Sequence, residues 1–379
     1  MQALDGITVI DLSRLLPGPF CSMILADHGA RVIAIEDKKF LADGLFISNI
    51  NRNKESISLN LKTAEGKEIF FKLIEKADVI LEGFRPDVVK KLGVDYDSIK
   101  QINPKIIYCS ISGYGQNGPL KDSAGHDINY LSKSGILNLI GEKDKPPSIP
   151  GVQFADIAGG SMNAAIGILL ALYNREKTGK GQYIDISMTD GMLSFQAIPL
   201  YMYLLTGSPQ ERSNSLLSHR YAFYNTYETA DGKYISIGAL EHRFWKNLCE
   251  HLKVPEYIKL QYDEEKKEEI INFFRTLFKK KNLAEWEKEL SDKDVCFAAV
   301  KNFEEILNDP LFIERKMITS IKDKKGQNIP TIGIPIKLSE TPGSIRTPPD
   351  TFGESTENIL KELGYSENNI KNLYKNSVI

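Results

Sequence analysis

Cysteine is scarce in this chain of 379 residues. The four cysteines stand far apart, at Cys21, Cys109, Cys249 and Cys296. Their spacing matches neither a zinc site nor the disulfide framework of a small secreted protein. The amino terminus also lacks the charged and apolar blocks of a signal peptide. Both absences are typical of proteins in a reducing cytosol, so we expect a cytoplasmic location.

Long apolar runs and an excess of one charge are missing as well. The 48 Lys and Arg residues nearly balance the 50 Asp and Glu residues, and the formal net charge is −2. Such a balance gives no overall attraction to nucleic acid or to membranes. The longest apolar run, 164–173, falls short of the roughly 20 residues that cross a bilayer. We therefore expect no nucleic-acid partner and no membrane insertion, and any anion site has to be local.

Short apolar segments alternate with helical ones in the amino-terminal part of the chain. Strands are predicted at 7–12, 31–36, 79–81 and 106–111. This alternation is typical of βαβ units that build a parallel sheet. The polar stretch from Phe40 to Lys54 is predicted to be a loop.

A change of composition after Gly207-Ser208-Pro209 indicates a domain boundary. The chain becomes more polar there, and a hairpin is predicted with strands at 224–229 and 234–238 around a turn at Asp231-Gly232. Amphipathic helices follow the hairpin. Because 379 residues exceed the usual size of a single core, two domains, or one domain with a large insertion, are expected.

The glycines in 113–118 match the GxGxxG pattern of a dinucleotide-binding site. In a true fingerprint these glycines open a helix whose amino terminus receives the pyrophosphate. Here Pro119 and a polar run to Ser123 come next, which indicates a loop. We therefore interpret the glycines as a turn and not as a nucleotide site.

Positive charge is concentrated at several loop-like positions of the amino-terminal part. The residues concerned are Arg52, Lys54, Lys62, Arg85, Lys90 and Lys91. Solvated surface is the simplest explanation. Against it, Arg85 follows a predicted strand, and the carboxyl ends of parallel strands are where such folds bind ligands. Bound phosphates would explain this charge.

His126 stands where proton transfer is chemically reasonable. It follows Gly125 and precedes Asp127 and the apolar Ile128, which predicts a helix amino terminus opening into a core. An imidazole titrates near neutral pH, so it suits general acid–base work. The amides of a helix start are also able to stabilise an oxyanion. A structural or surface histidine is the alternative.

Asp156 also has two explanations. It stands just before Gly159 and Gly160, so it is either the cap of a helix or a proton-transfer group. Glycines at such a place also allow a ligand to approach the backbone. A helix amino terminus lowers the pKa of an acid and burial raises it. The sequence therefore leaves the protonation state of Asp156 open.

Four runs of the sequence resemble those of the class III CoA-transferase family. They are Leu81-Glu82-Gly83-Phe84-Arg85-Pro86, 112–119, Gly125-His126-Asp127-Ile128-Asn129-Tyr130 and Lys180-Gly181-Gln182. The resemblance covers nearly the whole chain, from Leu4 to Ser366. Within the family, the sequence is similar to the branch of racemases that act on 2-methylacyl-CoA thioesters.

The resemblance implies an α/β fold in an interlocked homodimer. Each subunit would hold a Rossmann-like large domain with a parallel sheet and a smaller α+β domain. Segments 1–207 and 314–379 would form the large domain, and 208–313 the small one. The boundary indicated after Gly207 agrees with this division.

The resemblance also implies the roles of individual residues. His126 and Asp156 would be the two acid/base groups, and Glu241 would help to place His126, within one subunit or across the dimer. No metal or separate cofactor is expected, because CoA is part of the acyl-CoA substrate. The implied CoA contacts are Lys38, Leu59, Asn60, Leu61, Lys62, Gly83, Phe84, Arg85, Lys91, Gly125, His126, Asp127, Ile128, Asn129 and Tyr130. Lys38 departs from the family pattern, in which racemases commonly have an arginine against the adenine.

The expected reaction is inversion of carbon 2 of a 2-methylacyl-CoA through an enolate, with one base on each face. Two alternatives stay open. One is CoA transfer between carboxylic acids, in which Asp156 attacks the thioester and forms an acyl anhydride. The other is a CoA-binding protein without catalytic activity. His126 favours the racemase, because a transferase has no evident need for a base at that position.

Overall fold

The structure of the protein is a computed structural model that describes residues 1–43 and 48–379. The chain divides into two compact units. Unit 1 comprises Met1–Ile136, Pro150–Gln196 and Pro310–Ile379, and unit 2 comprises Leu137–Ile149 and Ala197–Asp309. These bounds differ from the predicted segments 1–207, 208–313 and 314–379.

Hydrogen bonds within unit 2 explain one of these differences. The Arg212 guanidinium donates to the main-chain oxygen of Asn138 at 3.0 Å, and the Ser213 hydroxyl donates to that of Gly141 at 2.7 Å. Residues 137–149 are therefore tied to a part of the chain that follows more than 60 residues later. Composition carries no trace of such long-range bonds.

The strands and helices are numbered in chain order. The strands are β1 (Thr8–Asp11), β2 (Arg31–Glu36), β3 (Lys54–Ser58), β4 (Val79–Glu82), β5 (Ile107–Ser112), β6 (Gln182–Ser187), β7 (Tyr224–Glu228), β8 (Tyr234–Gly238), β9 (Phe297–Ala299), β10 (Ile318–Lys322) and β11 (Asn328–Ile332). The α-helices are α1 (Pro17–Asp27), α2 (Ala64–Ile74), α3 (Val88–Leu92), α4 (Tyr96–Ile102), α5 (Asp127–Lys133), α6 (Asn163–Thr178), α7 (Met188–Leu193), α8 (Ala197–Thr206), α9 (His242–His251), α10 (Lys267–Phe278), α11 (Leu283–Leu290), α12 (Phe303–Leu307), α13 (Pro310–Glu314), α14 (Thr356–Glu362) and α15 (Glu367–Lys375).

Unit 1 is built around a six-stranded sheet in the order β3-β2-β1-β4-β5-β6. Each neighbouring pair runs parallel, which confirms the predicted α/β class. The strand order reverses between β1 and β4. Open α/β sheets bind their ligands at this kind of switch point, beyond the carboxyl ends of the strands.

The core of unit 1 unites distant parts of the chain. Ile10 and Ile80 of the central strands pack with Phe70 of α2, as the apolar spacing of these segments predicts. Leu360 of α14 and Ile370 of α15 belong to the same buried cluster. The last two helices therefore complete the core that the first strands begin.

The predicted loop between Phe40 and Lys54 is wrong at its end, because Lys54 begins the edge strand β3. Lys54 is buried, and its ammonium donates to the main-chain oxygen of Pro19 at 2.7 Å. Burial lowers the pKa of Lys54 to about 8, although nearby Asp11 opposes that shift. The middle of the predicted loop, residues 44–47, lies outside the described residues.

A long helical segment runs from Ala155 to Thr178. Its first part, Ala155–Met162, is a π-helix, and α6 continues it. By length and composition alone this segment passes the test for a membrane span, as the core helix of a soluble protein also does. About half of its apolar window is buried within the structure, where it packs on β5, β6 and α1.

Unit 2 contains a three-stranded antiparallel sheet in the order β7-β8-β9. The predicted hairpin is confirmed, with the turn at Asp231-Gly232 between β7 and β8. Helices α9, α10 and α11 cover one face of the sheet and bury Trp245, Phe274 and Trp286. The amphipathic pattern of this region thus predicts its helices correctly.

Candidate active site

A crevice lies at the switch point, where β1 and β4 end. Its walls include Leu12 and Arg14 after β1 and Phe84 after β4. The wall that follows β3 consists of Leu59, Leu61 and Lys62. Four of the predicted CoA contacts, namely Leu59, Leu61, Lys62 and Phe84, therefore line one crevice.

The crevice also holds two residues that the sequence reasoning missed. The Arg14 guanidinium lies 3.3 Å from the centre of the Phe40 ring, and both side chains line the crevice. A cation over an aromatic face gives a flat, positively charged wall. The position of Arg14 in the sequence could have indicated its role, because Arg14 follows β1, one of the two strands at the switch point.

Lys38 contacts a different part of unit 1. Its ammonium donates to the main-chain oxygen of Ile379 at 2.5 Å and lies 5.6 Å from the centre of the Tyr374 ring. Its neighbours Asp37 and Lys39 line the crevice, and Lys38 is not among the lining residues. The assignment of Lys38 to the adenine thus stays a prediction.

The cations of the amino-terminal part fall into two groups. Arg52 is buried in an ion pair with Asp27 at 2.6 Å, and Lys54 is buried beside Pro19. These two side chains serve the interior of unit 1, which corrects the idea that bound phosphates explain them. Lys62, Arg85, Lys90 and Lys91 are exposed and keep their charge available to a ligand.

His126 and Asp156 come close enough to interact electrostatically. His126 is an exposed residue at the start of α5, and Asp156 is half-buried in the first turn of the π-helix. Burial and the neighbouring Asp127 carboxylate raise the pKa of Asp156 to about 6, and His126 opposes that shift. A carboxyl group with such a pKa is able both to give and to take a proton near neutral pH.

Asp127 clamps the backbone that carries Asp156. Its Oδ2 atom accepts hydrogen bonds from the Ala155 amide at 2.7 Å and the Asp156 amide at 3.0 Å. The carboxylate that satisfies the start of the π-helix is therefore that of Asp127, and the side chain of Asp156 is not needed as a cap. Asp127 was expected from the sequence only as a CoA contact, so this clamp is a new finding of the structure.

Tyr130 fixes the loops around the pair. Its hydroxyl donates to the main-chain oxygen of Gly125 at 2.6 Å. A Cβ atom on Gly113 or Gly125 would lie 2.4 or 2.7 Å from the Tyr130 ring, so both positions have room only for glycine. Burial raises the pKa of Tyr130 to about 12, with a further contribution from Asp156. The phenol therefore stays neutral and acts as a hydrogen-bond donor.

The glycines in 113–118 form a loop, as predicted, and helix α5 begins only at Asp127. Gly115 and Gly118 have φ angles of +84° and +89°. These left-handed conformations account for the glycines without a nucleotide.

The glycines after Asp156 serve packing between helices. A Cβ atom on Gly159 would lie 2.6 Å from the main-chain oxygen of Met188, and one on Gly191 would lie 2.5 Å from the Cα atom of Gly159. The π-helix and α7 therefore touch through their backbones. This contact explains Gly159 without the close approach of a ligand that the sequence suggested.

Glu241 lies in unit 2, immediately before α9. The loop that carries it is held by Gln261, whose amide donates to the main-chain oxygen of Leu240 at 2.8 Å. The side chain of Gln261 also contacts the His242 ring at 3.1 Å. The placement of His126 by Glu241 stays a prediction, because His126 belongs to unit 1.

Three comparisons with known proteins agree on the relatives of this chain. It is 36% identical over its whole length to alpha-methylacyl-CoA racemase of Homo sapiens, of which it covers 98%. It is 32% identical to succinyl-CoA:mesaconate CoA-transferase of Haloarcula hispanica, over 96% of this chain and 97% of that protein. The crystal structure of a CaiB/BaiF family protein from Brucella suis aligns with a TM-score of 0.83 and 30% identity, over 96% of this chain and 99% of the other.

The model of CoA-transferase family III matches residues 4–356. The match includes the crevice at the switch point and the segments that carry His126 and Asp156. Relatives named as racemases and relatives named as transferases are both present. The chain therefore belongs to CoA-transferase family III and is an enzyme of that family.

Proposed function

We propose that this enzyme inverts carbon 2 of 2-methylacyl-CoA thioesters, with His126 and Asp156 as its two acid/base groups. The observation that carries the proposal is the position of Asp156, half-buried beside both Asp127 and His126 with its pKa raised to about 6. A carboxyl group of this kind titrates close to the working range of an imidazole. Both groups are then able to exchange roles between the forward and the reverse reaction.

In the proposed mechanism, His126 removes the proton from carbon 2 of one enantiomer. The thioester oxygen gains negative charge as the enolate forms. The amide of Asp127 belongs to the first turn of α5, where a helix leaves its N–H groups unpaired, so it is the proposed oxyanion donor. Asp156 then delivers a proton to the opposite face of the enolate. In the reverse direction, Asp156 is the base and His126 the acid.

The crevice at the switch point is the proposed site of the CoA moiety. Arg14 and Lys62 bring positive charge to its wall, and Phe84 brings an aromatic ring. Arg85 follows Phe84 and lies near enough to Tyr130 to lower its pKa in part. Arg85 therefore connects the crevice residue Phe84 with Tyr130, whose hydroxyl holds Gly125 beside His126. CoA enters as part of the substrate, and the proposed chemistry needs no further cofactor.

CoA transfer between carboxylic acids is the second candidate, because the relatives include transferases. In that reaction the Asp156 carboxylate attacks the thioester carbonyl carbon, and an acyl anhydride forms as the CoA thiolate leaves. The thiolate then attacks the Asp156 carbonyl carbon of the anhydride, which releases the donor acid and leaves an Asp156–CoA thioester. The acceptor carboxylate attacks this thioester and forms a second anhydride, and the released thiolate attacks its acceptor carbonyl carbon to give the new acyl-CoA and free Asp156. His126, close enough to Asp156 to interact with it electrostatically, favours proton transfer over this step, because a nucleophilic carboxylate has no evident need of a second acid/base group.

The test is to incubate one enantiomer of 2-methylbutyryl-CoA with the enzyme in deuterated water, with and without an added carboxylic acid. We expect deuterium at carbon 2 and loss of optical purity, with no CoA on the added acid. CoA on the added acid without deuterium at carbon 2 would establish the transferase instead. Binding of CoA with neither reaction would leave a catalytically silent CoA-binding protein.

The proposed enzyme is a homodimer in the cytoplasm. Helix α6 exposes Ile166, Leu170 and Tyr173, and α8 exposes Leu200 and Leu204. Exposed apolar surface of this extent is typical of a subunit interface, and we propose that it is covered in a homodimer. Glu241 is proposed to place His126 within this dimer. The balance of charge and the scarcity of cysteine support a cytoplasmic enzyme.

A further inference from the structure

A row of polar residues crosses the carboxyl ends of three strands. Glu82 of β4 is the register partner of Ser110 of β5, and Ser110 is the register partner of Asp185 of β6. Glu82 and Ser110 are each only 1% exposed, and the Ser110 hydroxyl is hydrogen-bonded to the Glu82 carboxyl. A buried carboxyl group calls for an explanation, because its burial costs stability unless hydrogen bonds compensate for the lost water.

Each acid of the row holds one loop of unit 1. The Glu82 Oε2 atom accepts a hydrogen bond from the Phe84 amide at 2.7 Å. The Asp185 Oδ2 atom accepts one from the Gln116 amide at 3.1 Å. The first contact bends the chain directly after β4, where Phe84 lines the crevice. The second anchors the loop whose Gly113 packs against Tyr130.

Glu82 itself lies beneath the crevice and is not among the residues that line it. Burial raises the pKa of Glu82 to about 7, with a small contribution from Asp185, while the bonds from Ser110 and Phe84 oppose it. In both protonation states, the carboxyl group keeps an oxygen that is able to accept the Phe84 amide. The contact therefore depends on the acceptor atom and on the length of the side chain, and not on the charge.

We propose that Glu82 is a positioning residue, whose buried carboxyl group holds Gly83–Arg85 in the conformation that receives a CoA thioester. This inference rests on the proposed function, because the crevice is taken to be the CoA site. Glu82 acts through the backbone of Phe84 and the direction of Arg85. Without the acceptor, the Phe84 amide loses its partner, and the loop leaves its bound conformation.

Two substitutions of equal length separate this role from simple packing. Glu82→Gln keeps an oxygen for the Phe84 amide, and we expect the Kd for free CoA to stay within twofold of that of the unchanged enzyme. Glu82→Met fills the same space without an acceptor, and we expect the Kd to rise roughly tenfold. Calorimetry with free CoA gives both values, independently of any catalytic activity. Faster hydrogen exchange of the Phe84 amide in Glu82→Met is the expected second readout.

Asp78→Met is the matched control at the other end of β4. Asp78 accepts the Thr8 amide at 2.8 Å and pairs with Arg175 at 2.9 Å, so its loss removes the same kind of contact far along the strand from the crevice. We expect a lower Tm and an unchanged Kd for CoA.

Three outcomes would overturn the inference. Glu82→Met binds CoA as tightly as the unchanged enzyme, or Glu82→Gln loses as much affinity as Glu82→Met, or Asp78→Met weakens CoA binding equally. If Glu82→Met does not fold, Glu82→Leu replaces it, because leucine also fills the buried space without offering an acceptor to the Phe84 amide. Failure of the unchanged enzyme to bind CoA would instead sink the proposed function and, with it, this inference.

Discussion

The start of α5 and the start of the π-helix make opposite use of an aspartate in the first turn. The Asp127 carboxylate accepts its two described hydrogen bonds from the amides of Ala155 and Asp156. Asp156 occupies the corresponding place in the other helix, yet its carboxyl group remains half-buried with a raised pKa. The acid at the start of α5 therefore caps the π-helix, and the acid of the π-helix stays available for proton transfer.

This difference shows that capping and catalysis compete for the same atoms. A carboxylate that accepts two backbone amides has its pKa lowered by those bonds and is fixed in orientation. Had Asp156 capped its own helix, those bonds would have lowered its pKa and opposed proton transfer near neutral pH. Because Asp127 takes the amides, Asp156 keeps its protonation equilibrium in a useful range. The following predictions test this division of labour.

The largest effect is expected from Asp156→Asn. The amide side chain has the same shape but neither gives nor takes a proton in this range of pH, so activity should fall by about 10²–10⁴-fold. The measurement is the rate of deuterium incorporation at carbon 2, with CoA affinity as the control. Activity within tenfold of the unchanged enzyme would remove Asp156 from the mechanism.

A smaller loss is expected from Asp127→Ala, which removes the clamp on the π-helix. Stability should fall by about 1 kcal/mol, as for other lost caps, and activity by up to roughly 100-fold, because Asp156 is no longer held in place. Asp95→Ala is the matched control, since Asp95 accepts the amides of Asp97 and Ser98 at the start of α4. It should lose similar stability and keep its activity. Equal activity of the two variants would refute the clamp.

The pH dependence tests the charge of Asp127 separately from its bonds. Asp156, with a pKa of about 6, is the base in one direction of the reaction, so that rate should fall as pH falls through about 6. In the opposite direction Asp156 is the acid, and that rate should fall as pH rises through the same value. Asp127→Asn keeps an acceptor oxygen and removes a negative charge that raises the pKa of Asp156. The pH at which the rate falls should therefore move lower in both directions of the reaction. Unchanged pH profiles in both directions would show that Asp127 acts only as a cap.

The smallest effect is expected from Asn129→Ala. The Asn129 side chain accepts the His126 amide at 3.0 Å, and Asn369 accepts the Ser366 amide at 3.1 Å in the same way at α15. Each alanine variant should lose about 0.5–1 kcal/mol of stability. Only Asn129→Ala should lower the exchange rate, by a few-fold, because His126 is then less well oriented. If both variants lower it equally, orientation of His126 is not the cause.

Much of unit 1 could be predicted from local pattern. The bounds of β2 match the predicted strand 31–36, because β-branched residues recur there between clear turn signals. The start of α5 was predicted as well, since glycine, histidine and aspartate precede an apolar segment. These features are written within a few neighbouring residues.

The features that were missed depend on residues far apart in the chain. Strand β3 carries one large apolar side chain, Ile57, and its Lys54 is buried by partners that the local sequence does not reveal. The clamp of Asp127 acts on amides 28 and 29 residues away. No periodicity records such contacts, so neither the strand nor the clamp could be predicted.

Strand β3 also has a consequence for how the polypeptide is made. It forms the edge of the sheet, and the amide of Ser58 donates to the Thr356 hydroxyl, 298 residues further along the chain. At ribosomal speed this separation amounts to roughly 15–60 s of synthesis. During that interval the edge is open to pairing with other nascent chains. We therefore expect chaperones that bind the nascent chain to protect the β3 edge during synthesis.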